Sequence, residues 1–146
     1  MGIFDSININ ASALTAEKTR IDIISKNMAN ANTTRATGGM PYKRQLVVYE
    51  ENKKDSFSTY LDKFTNKFSG SGVIISEIIE DNTPYKFKYE PGHPDADENG
   101  YVMLPNVEIV SEMVDMIDAQ RAYEANITAM NGTKSMLMKA LEIGRR

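Results

Sequence analysis

From Ile109 to Leu141 apolar side chains recur at alternating steps of four and three: Ile109, Met113, Met116, Tyr123, Ile127, Met130, Leu137 and Leu141 hold the seam, and only Gln120 and Lys134 interrupt it. A repeat averaging 3.5 residues keeps one side of an α-helix apolar along its whole length, so the segment must be a helix that packs lengthwise on another helix. Val110, Val114, Ile117 and Met138 widen the stripe. Asn106 after Pro105 is a candidate N-cap and Gly144 a candidate C-cap. That predicts a helix of about 36 residues, roughly 54 Å long at 1.5 Å per residue. Its acids Glu108, Glu112, Asp115 and Asp118 come early, and Lys134, Lys139, Arg145 and Arg146 come late, the polarity that suits the helix dipole. Gly132 is its weak point, costing on the order of 1 kcal/mol against Ala.

The other end carries a partner stripe. Phe4, Ile7, Ala11, Leu14, Ile21, Ile24 and Met28 recur at offsets of three, four and seven, which predicts a helix over 6–30 capped by Asp5 or Ser6. It stops in the turn-forming run from Thr33 to Pro41. Between the helices the period falls to two. Gln45–Glu50, Val73–Glu80, Tyr85–Tyr89 and Tyr101–Leu104 read as strands, with Asn99-Gly100 as a tight-turn signal joining the last two. Phe57, Tyr60, Leu61, Phe64 and Phe68 are spaced for a short amphipathic helix over 56–68, before Ser69-Gly70-Ser71-Gly72 breaks the chain. The expected class is α+β: long N- and C-terminal helices pairing as a coiled-coil-like layer, residues 1–36 and 106–146, around a small β-rich segment, residues 37–105.

Composition removes several function classes. A formal charge of −3 argues against a chain-wide role on polyanions, because nucleic-acid affinity comes from clustered cations. Without cysteine there is no disulfide, thiolate zinc site or cysteine nucleophile, and one histidine cannot build a multi-histidine metal centre. No apolar run approaches the roughly 20 residues that span a bilayer. Residues 1–6 lack the basic leader and apolar core of a secretory signal, so any export is expected to take another route. They do fit the short M-G-x-x-x-S myristoylation pattern, which recurs by chance.

Asp95-Ala96-Asp97-Glu98-Asn99-Gly100 matches the first half of a calcium-binding EF-hand loop. The match then fails, because the closing twelfth position is Asn106 and the preceding segment is Glu90-Pro91-Gly92-His93-Pro94, not a helix. An acidic turn explains the same residues. His93 stands in a loop with no second histidine or cysteine, and neither G-x-S-x-G nor a phosphate-cradling glycine loop occurs. No enzyme constellation, cofactor box or small-molecule site is legible. Lys53, Lys54, Lys63 and Lys67 are interleaved with acids and aromatics, as on a solvated face. Met113, Met116, Met130, Met136 and Met138 place five of the 9 methionines on the C-terminal helix, where thioethers fill irregular interfaces. A helix of that length can bury only part of so broad a stripe within its own small chain, so the remainder calls for other subunits. Both ends are then expected to be loose in the monomer and ordered by assembly.

Three stretches resemble the proximal-rod members of the bacterial flagellar rod, hook and filament subunit family. They are Asn27-Met28-Ala29-Asn30-Ala31-Asn32-Thr33; Tyr89-Glu90-Pro91-Gly92-His93-Pro94-Asp95-Ala96-Asp97 leading to Gly100-Tyr101-Val102; and Pro105-Asn106-Val107 through Arg121-Ala122-Tyr123-Glu124-Ala125-Asn126. The tail from Lys134 to Gly144 is similar to that family too. The resemblance implies terminal helices packed helically around a central channel, with the β-rich segment outside. It also implies export through the flagellum's own type III apparatus, without a cleaved signal peptide.

The expected function is therefore structural: a subunit of the flagellar basal-body rod that transmits torque between the membrane ring and the distal rod. Its expected partners are other rod subunits, its own copies, the rod-to-membrane-ring junction and the export apparatus. The expected assembly residues are Ile7, Leu14, Ile21 and Met28 on one helix, and Ile109, Met113, Met116, Tyr123, Ile127, Met130, Leu137 and Leu141 on the other. Ile3, Phe4 and Ile7 are also candidates for recognition by the export machinery. Two other classes stay open at this point: a coiled-coil adaptor, and a calcium-responsive module built on residues 95–100.

Overall fold

A computed structural model of the chain describes residues 3–36, 38–52 and 72–144. Its elements run α1 (Ile3–Ala29), β1 (Gln45–Glu51), β2 (Val73–Glu80), β3 (Lys86–Tyr89), β4 (Tyr101–Leu104) and α2 (Ile109–Gly144). The class is α+β, with two long terminal helices packing together and a small β segment between them. α2 is 36 residues long, as its repeat demanded. The expected helix over 56–68 lies outside the described residues.

Several local expectations are corrected. α1 begins at Ile3, so Asp5 sits in its first turn and neither Asp5 nor Ser6 is the cap. α2 opens with Glu112 N–H donating to Glu108 O at 2.9 Å, which puts the cap position at Glu108 instead of Asn106. Asn99-Gly100 does not make a two-residue hairpin. β3 and β4 pair antiparallel in the register Phe87 with Met103 and Tyr89 with Tyr101, and residues 90–100 form a longer loop between them.

Asp97 organises that loop by accepting the N–H groups of Asn99 and Tyr101 on Oδ1, at 2.9 and 2.8 Å. Gly100 closes it at φ +79°, in the left-handed region where a side chain is penalised. β1 and β2 form a second two-stranded sheet. Its flanking backbone bonds, Asn52 N–H to Gly72 O and Asp81 N–H to Arg44 O, run in the antiparallel sense.

The described residues divide into two compact units. One takes in residues of 1–19, 49–76 and 119–146. Here Ser12 Oγ donates to Ile9 O at 2.7 Å and accepts the N–H of Val73 at 3.1 Å, fixing the start of β2 on α1. Ala16 and Ala119 are its buried apolar residues. The other takes in 20–48 and 77–118. Its core is Ala31, Tyr42 and Val107 with Ala36 against them, and Ile24 and Val102 are buried as well. So few buried side chains make a thin core, and polar contacts carry much of the second unit's order.

Candidate assembly interface

Asn27 stands beside Met28 at the end of the apolar stripe of α1 and is buried, with 1% of its surface exposed. A buried amide must satisfy two donors and an acceptor, and this one does. Its Nδ2 donates to Gln45 O at 2.9 Å and to Glu112 Oε2 at 3.1 Å. Its Oδ1 accepts from the Tyr42 hydroxyl at 2.8 Å and from Gln45 N–H at 2.9 Å. One side chain thereby ties α1, the entry to β1 and α2 together.

Glu112 is equally buried, at 1%. Its other oxygen accepts from Arg44 Nε at 2.6 Å. Arg44 also faces Asp115 at 3.2 Å and Asp81 at 3.6 Å, and Asp115 lies 3.8 Å from Arg20 of α1. Burial works against the Arg44 charge, but the hydrogen bond to Glu112 and the Glu112, Asp115 and Asp81 carboxylates outweigh it and hold the guanidinium above its usual value. The Tyr42 hydroxyl is pushed up from 10.0, first by burial and then by the Glu112 and Glu80 charges. Asp81 is held below 3.8, chiefly by the Thr83 N–H it accepts and further by the Thr83 hydroxyl and Arg44.

Asn106, the expected cap, does a similar task from the other side. Its Oδ1 accepts Arg44 N–H at 2.8 Å, and its Nδ2 donates to Asp81 O, Thr83 O and Thr83 Oγ1 at 3.1, 3.2 and 2.8 Å. The family-motif residues Asn27 and Asn106 are therefore backbone staples around an ion pair whose carboxylate is buried and whose guanidinium is partly exposed. Asn30 turns the chain after α1, donating to Lys26 O and accepting from the Thr33 hydroxyl. Pro105 and Gly100 are buried, whereas Pro91 and Gly92 are exposed. Tyr101 packs edge-on against Tyr89 with centroids 5.3 Å apart.

The heptad seam is half of what its apolar pattern indicates. Met116, Tyr123, Met130 and Leu137 are partly buried, as are Ile7, Leu14, Ile21 and Met28 on α1. The alternate row differs: Ile109, Met113, Ile127 and Leu141 are exposed. Glu112, Ala119, Asn126 and Thr133, one position earlier at 112, 119, 126 and 133, lie at the buried or half-buried positions instead.

Consequently Ile109, Val110, Met113, Val114 and Ile117 form one apolar face open to solvent on the first turns of α2, with Val110 64% exposed. Further along, Met136, Met138, Leu141 and Ile143 are exposed as well. Over residues 5–29 α1 exposes no large apolar side chain; its outer stripe is Asn8, Ala11, Thr15, Lys18, Asp22 and Ser25.

The acidic turn is spoken for internally. Asp95 pairs with Arg35 at 2.6 Å and accepts the Thr34 hydroxyl at 2.7 Å, while Asp97 holds the loop backbone. Among the described residues no group of three or more His, Cys, Asp or Glu side chains is placed to hold a metal ion. Among the same residues no helix is long and apolar enough to cross a membrane. Glu112, Arg44, Tyr42 and Thr83 were not singled out from sequence as structural centres. The only available signal was an acid standing beside a seam position.

The two terminal segments that build this arrangement are also the segments that match known families. Residues 7–37 match the flagella basal body rod protein family, and residues 98–143 match the C-terminal part of the flagellar basal body rod FlgEFG proteins. Over nearly full length the chain is 48% identical to the flagellar basal-body rod protein FlgC of Bacillus subtilis, covering 99% of this chain and 100% of that one. It is 45% identical to FlgC of Borreliella burgdorferi, with 98% of each chain covered. Against FlgC of Salmonella typhimurium it is 38% identical, covering 99% of this chain and 100% of that one. With both helices, the motif asparagines and the intervening strands all inside that alignment, the chain belongs to the FlgC family of flagellar basal-body rod proteins.

Proposed function

We propose that this chain is a structural subunit of the flagellar rod whose copies and kin pack through their terminal helices into an open helical shaft that carries torque. The observation that carries the reading is the apolar face of α2 at Ile109, Val110, Met113, Val114 and Ile117, left in water while the opposite side of the same helix is occupied by the Glu112 network. Large apolar patches on a soluble chain mark contact surfaces. Repeated heterologous contacts with a fixed rotation and rise make a filament that does not close.

In this reading residues 1–36 and 106–146 form the inner layer and residues 37–105 lie outside it. The partners are other rod subunits and further copies of this chain, with the membrane-ring junction at one end. Delivery is through the flagellar export apparatus, for which Ile3, Phe4 and Ile7 are the candidate recognition residues. The role requires no catalytic step.

The test is complementation of a deletion strain with a Val110→Asp, Val114→Asp chain. Both side chains are exposed, so the isolated subunit is expected to fold normally while swimming is lost. Normal swimming would remove this face from the rod contact.

A further inference from the structure

The geometry points to the Asn27–Glu112–Arg44 cluster as a rotational latch: it holds α2 with its polar side inward, so that the chain cannot bury its own assembly face. The inference rests on the assembly reading above. It starts from a mismatch between pattern and packing. By apolar content the best inward row on the first turns of α2 is Ile109, Met113 and Met116, yet the inward residues include Glu112 and Asp115, with Met113 turned out. The two arrangements differ by a roll of about one residue, about 100° at 3.6 residues per turn.

Hydrophobic burial alone favours the rolled arrangement, which would hide Met113 and Ile109 from water. The buried polar groups oppose it. In the rolled arrangement Glu112 would leave Asn27 Nδ2 and Arg44 Nε without their present acceptor, in a site closed by Tyr42 and Gln45. A buried donor without an acceptor is costly, and the partly buried Arg44 guanidinium loses its shortest ion pair as well. A lone polar position that fixes the register of a helix pair at the expense of stability is the same device at work in coiled coils. Asn106, anchored on the Arg44 N–H, Asp81 O and Thr83, bonds to none of the groups that the roll displaces.

The test replaces the latch with apolar side chains of similar size, Arg44→Met and Glu112→Met, and reads which side of α2 faces water. Because the chain has no cysteine, Met113→Cys provides a single thiol on the exposed face of the full-length protein. In the dilute parent chain that thiol is expected to react rapidly with an alkylating reagent. In the Arg44→Met, Glu112→Met background it is expected to react at least about tenfold more slowly, as the face turns inward. Glu112→Gln, which keeps the side-chain shape and one of the two acceptor oxygens, is expected to slow the rate less than the double variant does.

An undiminished rate in the double variant overturns the latch, whether α2 has kept its face or the helix has come apart. Swimming is scored separately, with the double variant lacking the added cysteine. Loss of swimming together with a slowed thiol supports both readings. A slowed thiol with normal swimming upholds the latch and removes the face from assembly.

Discussion

Asn27 and Glu112, 85 residues apart in the chain, share a buried hydrogen bond of 3.1 Å, and through it the two terminal helices meet at a polar point instead of an apolar one. Because the same asparagine also serves Tyr42 and both backbone groups of Gln45, its removal strands four partners at once. Asn27→Leu is expected to lower unfolding stability by about 3 kcal/mol, seen as a lower urea midpoint with an unchanged slope. A change within experimental error would mean that the cluster is not what orders this unit.

Acid should weaken the protein through Asp81. Its folded pKa lies below its ordinary 3.8, so its ionised form is favoured by folding. The associated stability is fully present above 3.8 and is lost as pH falls through the lower, folded value. Asp81→Asn removes this dependence. The stability difference between parent and variant, measured by urea unfolding at a series of pH values from 7 downward, is expected to shrink steadily once the pH passes below the ordinary carboxylate range.

Two glycines should respond to alanine with opposite signs. At Gly100, φ is +79° and an added Cβ would lie 3.0 Å from Tyr89 Cε2 and 3.1 Å from the Pro91 Cβ. Gly100→Ala is expected to destabilise by about 1–3 kcal/mol in a thermal melt and to disturb the Tyr89–Tyr101 contact.

Gly132 lies inside α2 with nothing within 4 Å of its missing Cβ. Gly132→Ala is expected to stabilise the chain by about 0.5–1 kcal/mol and to raise the helical circular-dichroism signal on warming.

The Tyr42 hydroxyl gives the alkaline counterpart. Burial and nearby carboxylates raise its pKa above 10.0, so the neutral phenol is the form that folding favours. That stability is complete below 10.0 and declines as pH rises toward and through the folded value. Tyr42→Phe should lose the hydrogen bond to Asn27 at neutral pH and show a flatter stability profile in the alkaline range.

Periodicity made the long elements legible. The 3.5-residue repeat located α2, and the two-residue alternation located β2 and β4 at their observed limits. Rotation of α2 was not legible, because a repeat of apolar residues indicates that a face will be covered without indicating by what. Met113 and Ile127 belong to the repeat and yet face water; Glu112 and Ala119 sit beside it and are buried. Asn106 was misread for a related reason. After a proline and before a helix an asparagine has a ready local use as a cap, and nothing local announces the 81–83 turn and β1 that it holds instead. Asn27 was noticed only as part of a motif, since its partner residues, Tyr42, Gln45 and Glu112, lie 15, 18 and 85 residues away in the chain.

Among the helix residues whose side chains are described, the exposed large apolar ones all belong to α2, so in the proposed shaft every copy brings an adhesive flank and a slippery one. Chance encounters between free molecules in which the slippery flank comes first leave nothing joined. Growth is then favoured at a tip where a matching surface is already presented, and discouraged in the surrounding fluid.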